Sequence, residues 1–377
     1  MQFMARFSCI KLSFICLFRF QYLPRKRFQM YSPTSFKQTI LTALLVTIPT
    51  LVYPQSKATF ASVERNGVLD DSIVHDEVAV LTKDIVLDDK QRSRAIECRV
   101  YAPATGEMLP LILFSHGFGA DKTAFGLISQ HIAARGYVVV HPSHQNGIGK
   151  GGARPGGMDR AALLQQIREQ GGLAALMGNS SGVEGRVADL LFIMDHPDRL
   201  IAAVPELADR LDATRIGVGG HSFGAFTASL LGGVTVAMGG QKARSLADKR
   251  VKCILPISGQ GTGQQGLTAD SWKDLSLPMM TITGSRDRGA GGQGPEWKME
   301  PYRLSPPGGK HLVFIEGANH VSFGGYRGIA NEFTPAVQRA SVLFWDAYLK
   351  DDPAALQSLK SKALEKSFPG RVKQEWK

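Results

Sequence analysis

Residues 215–233 read RIGVGGHSFGAFTASLLGG, an apolar run that breaks into Gly-His-Ser-Phe-Gly and then resumes with helical spacing. Ser222 is either a nucleophile at a strand–helix turn or a serine among glycines. The pentapeptide alone decides little. With 41 Gly in 377 residues, a G-x-S-x-G match arises by chance about a few tenths of a time per chain. Gly178-Asn179-Ser180-Ser181-Gly182 is a second match. Context separates the two. Ser222 directly follows the strand-like RIGVGG and opens the helix-like GAFTASLLGG, the strand–turn–helix setting of a nucleophile elbow. In so tight a turn, side chains at Gly220 and Gly224 would collide with neighbouring strands, and the helix N-terminus beneath Ser222 favours developing negative charge. Ser180 follows LAALM with no strand before it and reads as a loop serine.

The chain on either side alternates. EVAVLTKDIVLDD and AIECRVYAPA read as two early strands joined by the polar turn DDKQRS, and LPLILFSHG as a strand buried on both faces. DKTAFGLISQHIAARG reads as a helix, YVVVHPS as a strand, and VEGRVADLLFIMDH as an amphipathic helix. KCILPIS and PMMTITGS are strands around a short helical piece, HLVFIEG reads as the last strand, and TPAVQRASVLFWDAYLK as a closing helix. Residues 145–183, Gly-rich with one helical stretch AALLQQIRE, read as a surface insertion. Strands alternating with helices predict an α/β domain with one mostly parallel central sheet, covered by helices on both faces, with reactive groups at the carboxyl ends of its strands. The single domain is expected over 62–377, with its core at about 78–350. The tail 351–377 reads as a solvated helix or loose end.

Composition narrows the class. Hydrophobic content of 44% and charge of 20% are those of an ordinary globular protein. The net charge of +11 is concentrated at one end, since residues 1–61 hold eight Lys or Arg and no Asp or Glu, leaving +3 for the rest. A near-neutral body without a basic stripe gives no reason to expect nucleic acid. Within the basic segment, Lys37 precedes TILTALLVTIPTLVY, too short for a stable transmembrane span and suited to a signal-peptide h-region. Residues 1–61 are therefore expected to be a leader, possessing a normal signal peptide if read from Met30, with cleavage near Ala58 or Ala61 and export to the periplasm or medium. Cys9 and Cys16 leave with it. Cys98 and Cys253, both in apolar strand-like segments, read as buried thiols, with one disulfide the alternative.

A serine needs a base. In hydrolases built on this elbow the chain order is Ser, then Asp or Glu, then His, and only His311 and His320 follow Ser222. His311 starts a strand, at the wrong end. His320, in EGANHVSFGG after the strand, is at the active edge. Asp287, in PMMTITGSRDRG, is the expected orienting acid; Asp270 and Asp274 precede that strand. The oxyanion donors are expected to be the backbone N–H groups of Phe223 and of Phe118, the latter in the SHGFG loop. His116 shapes this loop by hydrogen bonding. His116, His144 and Trp297, from the loop RDRGAGGQGPEWKMEPYR, are candidates for the substrate pocket.

SHGFGADKTAF, GYVVVHPSHQN, RVADLLFIMD, RIGVGGHSFGAFTASLLGG and FIEGANHVSF together resemble the platelet-activating-factor acetylhydrolase-like α/β-hydrolases, whose bacterial members are often labelled predicted dienelactone hydrolases. The resemblance implies a serine esterase with an α/β-hydrolase fold, acting on small-molecule or lipid-like esters with short or modified acyl groups, without metal or organic cofactor. It departs in three places. True dienelactone hydrolases use cysteine where this chain has Ser222. Ala225 stands where relatives often have a second glycine. Animal members carry their acid after an earlier strand, which here reads LPISGQG and lacks one.

Three other readings compete. Gly261-Thr262-Gly263-Gln264-Gln265-Gly266, with Asp287 about 20 residues on, matches a dinucleotide fingerprint, but occurs late in the chain, where such folds use their first turn. His141 and His144 suggest metal ligands, without a carboxylate or cysteine at useful spacing. A non-catalytic binding protein of the same fold would be expected to lack one of Ser222, Asp287 or His320, and all are present.

Overall fold

The run LPLILF forms the middle of a sheet because each alternate side chain meets a different apolar layer. Leu111 and Leu113 join the core on one face of the sheet, Ile112 and Phe114 the core on the other, and all are buried. At about 1.5–3 kcal/mol for each large apolar side chain fully removed from water, no other placement of this segment competes. The computed structural model describes residues 78–144, 180–237, 241–325 and 328–377, with isolated helical positions at 165, 168 and 169, all within the compact unit Asp70–Lys377. The leader 1–61 and most of the Gly-rich insertion lie outside the described residues.

The elements run β1 (Val80–Asp89), β2 (Arg94–Pro103), β3 (Leu109–Ser115), α1 (Gly126–Ala133), β4 (Val138–Pro142), α2 (Ser180–Asp195), α3 (Pro197–Ala203), β5 (Leu211–His221), α4 (Phe223–Gly232), β6 (Val251–Ile257), β7 (Met279–Arg286), α5 (Pro295–Leu304), β8 (Lys310–Asn319), α6 (Thr334–Leu349), α7 (Pro353–Leu359), α8 (Ala363–Ser367) and β9 (Val372–Trp376). Short 3₁₀ turns lie at Pro205–Leu207 and Ala269–Trp272. The sheet order is β1-β2-β4-β3-β5-β6-β7-β8-β9. Strands β4, β3, β5, β6, β7 and β8 are mutually parallel; β1–β2, β2–β4 and β8–β9 pair antiparallel. This is the expected α/β-hydrolase fold, with α2 and α4 contributing to one core and α1 and α6 to the other.

Three expectations change. HLVFIEG is not the last strand, and the tail is not loose: residues 353–376 form α7, α8 and β9, with β9 paired along β8 from His311 to Ile315. Its anchors are few and widely spaced, which hid the pattern. Leu359, Leu364 and Val372 are buried, and Gln374 Nε2 donates to the Leu359 carbonyl at 2.5 Å. The loop RDRGAGGQGPEWKMEPYR contains a helix, α5, started by Pro295 at its first position, where proline lacks no needed N–H. Ser180 is the first residue of α2 and not a loop serine. Among the described residues the two cysteines divide between the two cores, Cys98 on one face of the sheet and Cys253 on the other, both free and buried. Burial pushes both thiols up, so they behave as apolar fillers.

Candidate active site

The strands that converge on the sheet's centre deliver their carboxyl ends to one edge. Ser222 follows β5 and caps α4 with φ 54° and ψ −117°, a conformation that L-residues rarely adopt and that stores strain. The surrounding backbone explains both glycines of the motif. A Cβ on Gly220 would lie 2.3 Å from the Gly224 oxygen, and one on Gly224 would lie 1.8 Å from the Ser115 oxygen. Strand end, turn and helix start are thus pressed against the loop leaving β3. The Ser222 N–H is tied to the Ile257 carbonyl at 3.0 Å.

The loop after β8 brings His320 to this turn, and the end of β7 brings Asp287. His320 Nε2 is 3.0 Å from Ser222 Oγ, and His320 Nδ1 is 3.1 Å from Asp287 Oδ1. The three residues picked from chain order are therefore one hydrogen-bonded series. Asp287 is fully buried, whereas His320 keeps 37% of its side chain exposed, so the accessible end of the series is the serine end. Three groups absent from the sequence reading complete it. Ser258, just past β6 with φ 51°, places its Oγ 2.7 Å from His320 Nδ1 and donates to Asp287 Oδ1 at 2.9 Å. Thr283 Oγ1 donates to Asp287 Oδ2 at 2.9 Å. The buried ammonium of Lys298, on α5, is 4.0 Å from Asp287 Oδ1 and donates to the Ser258 carbonyl at 3.1 Å.

Burial opposes ionisation of Asp287, but the hydrogen bond from His320, the Lys298 charge and the Ser258 hydroxyl outweigh it and hold the carboxyl below its usual range. Burial also brings the Lys298 ammonium down to about 8, against the pull of Asp287. His221, between Gly220 and Ser222 in the Gly-His-Ser-Phe-Gly motif, donates from Nε2 to the His320 carbonyl at 2.7 Å and so fastens the loop bearing His320. Burial and the neighbouring His320 push it down to about 3, which keeps it neutral.

Gly117 sits beside the serine: a Cβ on it would be 3.6 Å from Ser222 Cβ. This puts the SHGFG loop, and hence the Phe118 backbone, next to Ser222. The Phe118 and Phe223 rings face each other at 6.3 Å between centroids, and Phe118 is half-buried. His116 and His144, weighed as pocket residues, lie beneath the surface instead. His116 is fully buried, its Nδ1 2.7 Å from the Gly117 carbonyl and its Nε2 accepting from the His144 N–H at 3.0 Å. His144 is held by Ser115 and Asp189, each at 3.0 Å. Trp297 is half-buried on α5 and donates its indole N–H to the Thr262 carbonyl at 2.8 Å.

That contact also disposes of the dinucleotide reading. The Thr262 N–H, which would face a phosphate, is bonded to Glu300 Oε2 at 2.6 Å, and a Cβ on Gly261 would meet the Trp297 oxygen at 2.4 Å. A carboxylate fills the place of the anion. The metal reading separates too. His141 bonds Ser129 of α1 at 2.7 Å and stacks on Phe114, while His144 turns to Asp189 of α2 on the other face. Among the described residues no cluster of three or more His, Cys, Asp or Glu is arranged to hold a metal, and no helix is long and apolar enough to cross a membrane.

Residues 81–148 match the family described as platelet-activating factor acetylhydrolase, isoform II, a segment that runs from β1 past β4 and ends before Ser222. A platelet-activating factor acetylhydrolase from Canis lupus familiaris is 30% identical over 142 residues, covering 33% of this chain and 32% of the relative. One from Bos taurus is 44% identical over 43 residues, 11% of this chain and 10% of the relative. The chain thus spans about a third or less of the curated relatives it matches. The chain is similar to these proteins, as its motifs indicate.

Proposed function

We propose that this similarity and the site together describe an exported serine esterase that cleaves carboxylic esters of short or modified acyl groups through an acyl-enzyme on Ser222. The observation that carries the reading is the continuous series Ser222–His320–Asp287, at 3.0 and 3.1 Å, on a strained turn. His320 Nε2 takes the Ser222 proton as Oγ attacks the ester carbonyl. The new C–O bond pushes the carbonyl electrons onto oxygen, and the N–H groups of Phe118 and Phe223 receive that charge. As the alkoxide leaves, His320 returns the proton to it. Water then repeats the sequence, giving up a proton to His320 and releasing the acid. Asp287 holds His320 with its Nδ1–H inward and stabilises the imidazolium. The leader signals in residues 1–61 support export.

The test is hydrolysis of 4-nitrophenyl esters of increasing acyl length beside a peptide amide, with a fluorophosphonate to label the nucleophile. Ser222→Ala should abolish turnover and labelling. Intact activity in that variant, or a label on Ser180, would overturn the assignment. The chain-length series distinguishes short esters from lipid, polyester or peptide substrates.

A further inference from the structure

The proposed oxyanion donors belong to two separate segments, the Phe118 loop and the first turn of α4, and one side chain touches both. Arg186, on α2, is completely buried. Its Nη1 donates to the His116 carbonyl at 2.6 Å and to Ser115 Oγ at 3.3 Å, and its Nη2 reaches the Gly117 carbonyl at 3.4 Å. The same guanidinium lies 4.5 Å from the centre of the Phe223 ring. The Gly117 carbonyl shares its peptide plane with the Phe118 N–H. In a trans peptide the two point in opposite directions, so a donor gripping that oxygen from below turns the N–H away from itself.

We infer that Arg186, with His116, is a positioning residue for the oxyanion hole: it fixes and polarises the Gly117–Phe118 peptide and seats Phe223. This rests on the esterase reading of the preceding subsection. His116 contributes the shorter bond to the same oxygen, at 2.7 Å from Nδ1. Its tautomer follows from its other partner. Nε2 accepts from the His144 N–H, so the ring proton is on Nδ1 and faces Gly117. Burial and the adjacent Arg186 charge hold His116 well below the usual histidine range, so it remains neutral and the tautomer does not switch.

The next shell is equally determined. His144 Nδ1 donates to Asp189 Oδ2 at 3.0 Å, which leaves Nε2 to accept the Ser115 hydroxyl at 3.0 Å. Ser115 Oγ is then free to accept from Arg186. Asp189 is balanced by Arg92 and Arg94, each with a nitrogen 3.0 Å away. A cation bonded to the carbonyl end of a peptide strengthens the positive end of its dipole, here aimed at the developing oxyanion, and in a dry interior such a charge is little screened.

The experiment compares the full-length wild type, Arg186→Met and Arg186→Lys by 4-nitrophenyl acetate kinetics. Binding of a trifluoromethyl ketone, whose hemiketal oxyanion occupies the hole, and thermal unfolding are measured alongside. Misplacing one donor is expected to cost about 10–100-fold in kcat, with KM within about threefold, and to weaken the trifluoromethyl ketone by the same factor as kcat/KM. Lysine keeps the charge but cannot span both carbonyls, so Arg186→Lys should lose about three- to tenfold with the same parallel. Unchanged kcat, or a kcat loss without a matching loss of inhibitor affinity, would overturn the inference. If Arg186→Met fails to fold, the lysine variant decides by the same criterion. A wild type that neither turns over esters nor labels at Ser222 would sink the esterase reading and this inference together, whereas an active wild type with unaffected variants would sink this one alone.

Discussion

Replacing Gly224 by alanine adds one methyl group at the closest contact in the elbow. That carbon would stand 1.8 Å from the Ser115 oxygen, 2.4 Å from the Ser115 carbonyl carbon and 2.8 Å from the His116 oxygen, where ordinary contact begins at 3.4 Å. About 1.6 Å must be found, and all three obstacles are backbone atoms, so no side chain can swing aside. Either the first turn of α4 lifts or the end of β3 retreats. The first moves Ser222 off His320, with which its contact is 3.0 Å; the second moves the SHGFG loop away from Ser222. A misplacement of about 1 Å at reacting groups costs on the order of 100-fold, so kcat/KM should fall at least that far. Overpacking of this kind costs about 1–3 kcal/mol in stability. The assay is hydrolysis of 4-nitrophenyl acetate together with urea unfolding of the same preparation. Alanine at 224 with wild-type kcat/KM would show that the turn does not hold the serine as described. A matched control is Gly185→Ala: Gly185 lies within α2 with nothing inside 4 Å of an added Cβ, and the change should leave activity intact and stabilise by about 0.5–1 kcal/mol.

Asp287→Asn would offer an N–H where His320 Nδ1 needs an acceptor, turning the imidazole to the wrong tautomer; kcat should drop by about 10⁴, and a loss under tenfold in steady-state turnover would contradict the orienting role. Ser258→Ala removes a donor to Asp287 and a partner of His320 but leaves their direct bond, so a loss of about tenfold in kcat is expected, and a loss as large as that of Asp287→Asn would mean that Ser258 is the primary acceptor. Acidification should destabilise the fold through its buried histidines. Burial holds His141 and His221 near 3, His144 and His311 near 4, and His116 well below its ordinary value. Unfolding therefore takes up protons once pH falls below about 6.5, each histidine costing about 1.4 kcal/mol per pH unit until its folded value is reached. The stability is present above pH 6.5 and lost below it, so a urea midpoint that stays level from pH 7 to pH 5 would refute this partition.

Much of the architecture was legible because it depends on period and order. The two-sided run LPLILF, the Gly-x-Ser-x-Gly turn between an apolar strand and a small-residue helix, and the sequence Ser222, Asp287, His320 each carry a one-dimensional signal. What escaped was short or was made in three dimensions. Strand β9 has two inward positions, Val372 and Gln374, among charged neighbours, too few to show alternation. Ser258 and Lys298 lie 29 and 11 residues from Asp287 in the chain and meet it only after β6, β7 and α5 pack together. His116 and His144 were placed at the correct edge, since both follow strands there, but chain position says nothing about depth. Their rings turn inward because buried partners, Gly117, Ser115 and Asp189, take up all four nitrogens, with the His144 N–H completing His116.

Depth is also what separates two near-identical constellations in this molecule. Ser115 Oγ is 3.0 Å from His144 Nε2, and His144 Nδ1 is 3.0 Å from Asp189; Ser222, His320 and Asp287 repeat those distances within 0.1 Å. Distances alone would give the chain two nucleophiles. The first serine is fully buried at the end of a regular strand, with a guanidinium donating to its oxygen at 3.3 Å. Burial leaves no approach for an ester. The second serine is held on a turn of positive φ, at the start of a helix, against a half-exposed histidine. The difference predicts opposite responses to the same substitution. Ser222→Ala should abolish fluorophosphonate labelling with little effect on stability. Ser115→Ala should leave Ser222 as the labelled residue while unfolding at lower urea, because the His144 Nε2 that its hydroxyl satisfies loses its donor in the interior, at about 1–3 kcal/mol. A label on Ser115 in the Ser222→Ala protein would reverse the assignment of roles.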